Sequence, residues 1–169
     1  MSDDARALVR RFGLAPHPEG GFFKETFRSA ARFALPGYPG ERAASTAIHF
    51  LLEADTFSAF HRVRSDEVWH HYAGDPLELH TIDDDGHAAL VVLGPDFEDG
   101  QVPQAVVPRG VWQAAAPRGS RYAFVGCTVA PGFDFADFEM PPRTTLLALF
   151  PRHTDLLTRF TRANAPDDP

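Results

Sequence analysis

Apolar and polar residues alternate in short runs along most of the chain, and the runs end at glycines, prolines or acidic clusters. Alternation with period two places successive side chains on opposite faces of an extended strand, so these runs read as half-buried β-strands. The segments are 22–28, 45–52, 57–62, 67–72, 77–82, 88–93, 104–107, 111–115 and 122–129. Asp83-Asp84-Asp85-Gly86 reads as a hairpin turn between two of them, and 34–40, with two prolines and two glycines, as loop. His17-Pro18-Glu19-Gly20-Gly21 is a further turn, because proline fixes φ and paired glycines admit positive φ. Residues 133–138 alternate phenylalanine with acidic or small residues and predict one more half-buried strand, with Phe133 at a pocket mouth.

The two ends of the chain change period. Ser2, Asp3 and Asp4 supply a cap and negative charge ahead of Leu8, Val9 and Phe12, and Gly13 stands where a glycine stops a helix, so a short helix is predicted within 1–13. Residues 144–150 and 154–162 predict two more short helices, and 163–169 a frayed polar tail. Evenly spaced strands with no helical period between them imply an all-β barrel or double-sheet jelly roll, flanked by helices. No internal repeat or boundary divides 1–169, so one domain is expected.

Composition narrows the partners. The 169 residues include 15 Phe, 3 Tyr and 2 Trp, enough bulk for a real core. The net charge is −7 and the basic residues are scattered, which excludes a nucleic-acid or anionic-membrane footprint and leaves a small neutral or cationic ligand. Cys127, the single cysteine, cannot form an internal disulfide and fits a reducing compartment. With an acidic amino terminus lacking an apolar core, it points to a cytoplasmic protein.

The densest polar cluster runs from Phe60 to Gly74 and includes His61, Asp66, Glu67, Trp69, His70 and His71. On a strand starting at Glu67, alternation directs Glu67, Trp69 and His71 to one face and Val68 and His70 to the other. An acid, an indole and an imidazole on one interior wall suit a ligand site, and a histidine beside a carboxylate suits proton transfer near neutral pH. Cys127, in an apolar strand, reads as a buried inert thiol. Glu25 and Arg28 fall on opposite faces by strict alternation, and His49 is equally compatible with cavity or solvent.

These residues resemble the first motif of the cupin superfamily, G(X)5HXH(X)3-4E(X)6G. His61, Glu67 and Gly74 match it, and Val63 stands at the second histidine. The second motif is echoed by Pro108-Arg109-Gly110-Val111-Trp112-Gln113, with Gln113 in the histidine's place. The blocks His17-Pro18-Glu19-Gly20-Gly21-Phe22-Phe23, Ser65-Asp66-Glu67-Val68-Trp69-His70, 107–112 and 126–135 further resemble the uncharacterised DUF985 (cupin_5) family. The resemblance implies a cupin-like double-stranded β-helix. Two of four expected metal donors are replaced, so a metal-free pocket is expected; the alternative is a divalent transition metal held by His61, Glu67, His71 and Gln113.

Metal-independent sugar-nucleotide epimerases of the superfamily use a histidine base and a tyrosine acid. By that resemblance the chain is expected to be a small-molecule-binding cupin, an epimerase or isomerase acting on a sugar-like or other small polar substrate. His61 and Glu67 would be catalytic, with Trp69, His71, Gln113 and Phe133 binding the ligand. The competing readings are a non-catalytic sensor and a metal-dependent enzyme with an incomplete ligand set. Tyr38, Tyr72 and Tyr122 are the tyrosines available as acid, and Tyr72 falls on the face opposite Glu67. Strand pairing at sheet edges predicts a homodimer.

Overall fold

The computed structural model describes residues 1–163, so the expected tail lies, except for residue 163, outside the described residues. Two antiparallel sheets face one another. The larger has the order β1 (Ala15–Pro16), β2 (Phe22–Arg28), β5 (Thr46–Glu53), β12 (Tyr122–Ala130), β7 (Asp66–Gly74), β10 (Gln104–Val107). The smaller has the order β13 (Phe138–Glu139), β6 (Ser58–Val63), β11 (Trp112–Pro117), β8 (Leu77–Ile82), β9 (Ala88–Leu93). A separate hairpin joins β3 (Arg32–Ala34) to β4 (Glu41–Ala43). This is the jelly-roll, cupin-type architecture that the strand spacing implies.

Alternation sorts the side chains into three packed groups. Phe50, Leu52, Trp69, Leu77, Leu79, Leu93 and Val125 point between the sheets and form the central core. Leu51 and Phe124 point outward from the larger sheet and are covered by α1 (Asp3–Phe12), whose Ser2 Oγ accepts from the Ala5 amide and which stops at left-handed Gly13. Phe60, Ile82, Trp112 and Ala114 point outward from the smaller sheet onto α2 (Arg143–Leu149) and α3 (Thr154–Arg159), through Leu146, Phe150, Leu157 and Phe160. Among the described residues no helix is long and apolar enough to cross a membrane.

Three local features depart from the strict pattern. Residues 133–138 are not a strand: Phe135–Asp137 forms a 3-10 turn, and only Phe138–Glu139 is extended. Asp134 is the reason, because its Oδ1 accepts from the Ala136 amide at 2.9 Å and this local cap competes with a sheet ladder. The loop predicted at 34–40 is, from 35 on, the turn of the β3–β4 hairpin; the hairpin itself escapes the pattern because its three-residue strands are too short for a periodic signal. Finally, the β2–β5 register shifts between Glu25 and Phe27. The bulge turns Arg28 back to the side of Glu25, and the two form a bidentate pair at 3.0 and 2.6 Å instead of facing apart.

Candidate functional site

Between the sheets, beside the apolar core, lies a cavity of about 260 Å³. Its floor is polar. β6 turns His61 and Val63 inward while Phe60 packs outward on the helices, β7 contributes Glu67, and β12 contributes Cys127 and Val129. The turn after β1 adds His17 and Glu19. Gly20 makes that approach feasible: its φ is +119°, and a Cβ there would overlap the Phe57 carbonyl oxygen. The Glu19 carbonyl accepts from the Ala59 amide and from the Arg162 guanidinium, both at 2.9 Å, so the turn is fastened to β6 and the carboxyl is set beside His61.

The tautomer of His61 follows from its partners. Nδ1 lies 2.8 Å from the Ala59 carbonyl, which only accepts, so Nδ1 carries the hydrogen and Nε2 of the neutral ring offers its lone pair. Nε2 stands 3.3 Å from Oε2 of Glu19, whose Oε1 accepts from Ser58 Oγ at 2.9 Å. Burial pushes the His61 pKa down against the opposing pull of Glu67, and burial pushes that of Glu19 up. Burial thus shifts both groups toward their uncharged forms. His17 is displaced downward by burial as well, against the pull of Glu19.

Glu67 is held differently. The Trp69 indole N–H donates to Gln113 Oε1 at 2.9 Å; because an indole only donates, the amide is fixed with its NH2 toward Glu67 Oε2, at 2.5 Å. The Cys127 thiol lines the same wall as Glu67, and its pKa is raised well above the ordinary value by burial and by that carboxyl. Burial, with Glu19 adding to it, pushes the Glu67 pKa above 4.5, while His61, Gln113 and Cys127 work against the rise.

The raised carboxyls give a signed expectation. Below about pH 4 Glu67 is protonated in folded and unfolded chains alike, whereas at higher pH the unfolded chain releases a proton that the folded site retains, so stability falls as pH rises through this window. Glu67→Gln is therefore expected to raise the melting temperature by a few degrees near pH 8 and to leave it unchanged near pH 4, each kcal/mol appearing as about 2–4 °C at this length. Scanning calorimetry of both proteins across that range checks it; a lowered melting temperature at pH 8 would show that the ionised carboxylate stabilises the fold.

Of the residues singled out from sequence, the structure brings His61, Glu67 and Phe133 together on the cavity wall. Trp69 is not a ligand platform: it is fully buried, edge-on to Phe50 at 5.9 Å, and its N–H is spent on Gln113. Gln113, paired across the sheet with His61 and fully buried, stands behind Glu67 and holds it. His71 does not reach the cavity. Four residues of strand from Glu67 span about 13 Å, Trp69 fills the space between, and His71 Nε2 meets the Asp75 carbonyl instead.

None of the tyrosines lines the cavity: Tyr38 donates to the Arg64 carbonyl, Tyr122 packs with the α1 group, and Tyr72 lies against Gly126 beside His49 on the outer face. Sequence reasoning missed His17 and Glu19, which it read as turn residues only. The available signal was the pair of chemistry-bearing side chains flanking Pro18 inside the His17-Pro18-Glu19-Gly20-Gly21 block.

The donors at the motif positions do not fit the metal that the motif resemblance implies. Val63 lines the cavity and offers no ligand atom, and both ends of the Gln113 amide are committed to Trp69 and Glu67. Among the described residues, three ligating atoms come within 4.8 Å of one another only at the turn bearing Asp83, Asp85 and His87, away from the cavity.

Comparison with known proteins agrees with the architecture. The uncharacterised protein YML079W of Saccharomyces cerevisiae is 31% identical over 144 residues, covering 77% of this chain and 71% of its own. Protein SO0799 of Shewanella oneidensis is 34% identical and superposes with a TM-score of 0.89 over 97% of this chain and all of that one. A dTDP sugar isomerase of Desulfovibrio desulfuricans, 15% identical, shares the fold with a TM-score of 0.52 over 72% of this chain and 82% of its own. With the profile of the cupin superfamily family DUF985 (Cupin_5) matching residues 6–141, and with the jelly roll and the His61 and Glu67 positions in place, the chain belongs to that family.

Proposed function

We propose that the cavity carries out metal-independent proton transfer on a small polar molecule, an isomerisation or epimerisation. The observation that supports this best is the His61 imidazole, whose Nδ1–H is tied to the Ala59 carbonyl so that Nε2 is presented as a base between two buried carboxyls. In the proposed step Nε2 takes a proton from a carbon next to a carbonyl, and the bonding pair moves into that carbonyl. Glu67, held by Gln113, stabilises the imidazolium, and the Glu19 carboxyl, its pKa raised by burial, returns a proton to the substrate. A carboxylic acid thus takes the place that a tyrosine fills in the epimerases resembled, since no tyrosine lines this cavity. A dTDP sugar isomerase is built on the same fold, which puts carbohydrates first among substrates to test.

The test is incubation in D2O with a panel of aldoses and ketoses, amino sugars among them, following carbon-bound deuterium by NMR and mass spectrometry. One member is expected to gain deuterium, and His61→Gln, which preserves side-chain volume better than alanine, should slow the exchange by about 10²–10⁴-fold. Binding without exchange by any member would support a sensor instead, and undiminished exchange in His61→Gln would remove His61 as the base.

A further inference from the structure

The upper wall of the cavity poses a question that the proton-transfer chemistry does not answer. Phe133, Phe135 and Phe138 meet there with centroids 5.0, 6.0 and 6.1 Å apart and ring planes inclined by 70–81°, as at the corner of a box. All three line the cavity, and Phe135 is 51% exposed, an apolar ring left open at the mouth. The charge of the lining is one-sided. Glu19, Glu25, Glu67 and Asp134 contribute four carboxyls against one guanidinium, that of Arg28, which is spent on both oxygens of Glu25 and on the Phe133 carbonyl. The remaining basic groups are the His17 and His61 imidazoles, both driven toward neutrality by burial. Arg162 lies behind Glu19, donating to the Pro18 and Glu19 carbonyls, and does not line the cavity.

We propose that this cavity selects a small organic ammonium ion, its carbon skeleton against Phe133, Phe135 and Phe138 and its charge balanced by the lining carboxylates. An aromatic corner attracts a cation through the negative faces of its rings. Asp134 and Glu67 supply the counter-charge, because a cation bound beside Glu67 draws that buried carboxyl toward its ionised form. The same field repels carboxylates and phosphates. A metal ion holds its hydration shell and has no apolar surface to bury against the phenylalanines, which is why the organic cation is favoured. The inference deepens the proton-transfer reading by naming the substrate class for the same site.

The test is calorimetric titration of the whole chain with three matched probes: cyclohexylammonium, cyclohexanol and cyclohexanecarboxylate. The ammonium ion is expected to bind at millimolar concentration or below, about tenfold or more tighter than the alcohol, and the carboxylate not at all. Asp134→Asn keeps the cap on the 3-10 turn and should weaken ammonium binding several-fold while leaving the alcohol unchanged; Phe135→Ala removes a half-exposed ring and should weaken both, the ammonium ion more. Equal or tighter binding of the alcohol, binding of the carboxylate, no binding by the ammonium ion, or ammonium binding indifferent to both substitutions would each overturn the proposal. None of the probes carries a carbonyl for the proposed reaction, so failure here leaves the deuterium experiment standing, and failure there leaves this one standing.

Discussion

Asp137→Ala is expected to lower the stability of the fold by about 3–5 kcal/mol, the loss typical of removing one member of a buried ion pair. Asp137 receives Arg42 through two parallel bonds, Nε to Oδ2 at 2.6 Å and Nη2 to Oδ1 at 3.0 Å, and both side chains are almost wholly buried. The other guanidinium nitrogen, Nη1, donates to the Pro39 and Glu41 carbonyls, so Arg42 closes the β3–β4 hairpin while it grips the 3-10 turn. Removing the carboxylate leaves a buried guanidinium with no counter-charge except the more distant field of Asp134. Urea denaturation of both proteins measures the difference, with the slope checked for a change in the denatured state. Replacing both partners, as in Arg42→Met with Asp137→Leu, should recover most of the loss, because the charge and its desolvation cost leave together. A loss below about 1 kcal/mol in the single variant would mean that water reaches the pair and screens it.

This pair also bears on the cavity. Phe135 and Phe138 flank Asp137, so the clamp that holds the turn holds two rings of the aromatic corner. Nothing in the local pattern announces it: Arg42 and Asp137 are 95 positions apart, and 133–138 alternates as a strand would. Period-two alternation was sufficient to find the long strands, because each has one face in a core and the other under a helix or in solvent. It was insufficient wherever a local hydrogen bond or a bulge intervened. The bulge after Glu25 moved Arg28 to the opposite face, and the Asp134 cap folded a strand-like run into a turn.

The catalytic candidates His61 and Glu67 were legible because both lie on long regular strands, where facing can be counted. Glu19 was hidden by a turn, whose side-chain directions follow from Gly20 and from the remote Arg162 clamp and not from any period. Trp69 shows the opposite error. Alternation puts its ring between the sheets, but facing inward does not distinguish core from cavity, and a ring of that volume packs where Phe50 already fills the centre. Depth along the barrel axis depends on which large side chains occupy each layer, and one strand read alone does not carry that information.

Val63→His combined with Gln113→His is expected to convert the cavity into a divalent-metal site. His61 and Val63 alternate onto the same face of β6, and Gln113 is the direct cross-strand partner of His61, so the two new imidazoles would join His61 and Glu67 around one volume. Three imidazoles and a carboxylate suit first-row divalent ions. Loss of an outer-sphere partner alone costs about 10–100-fold in affinity, so two added direct donors should raise it by about a thousandfold or more over the unmodified protein. The substitution has a cost, since the Trp69 N–H loses the Gln113 oxygen; an unsatisfied buried donor costs about 1–3 kcal/mol, and the apo double variant should be less stable by that amount. Bound metal should restore the stability, because a ligand of the folded state alone shifts unfolding by mass action. Elemental analysis after chelation and re-loading with Zn²⁺ or Mn²⁺, together with melting of apo and loaded forms, reads both effects. One equivalent of chelator-resistant metal in the unmodified chain would overturn the metal-independent reading. A double variant that melts earlier yet gains no metal would show that Val63 and Gln113 do not converge on the volume that His61 and Glu67 share.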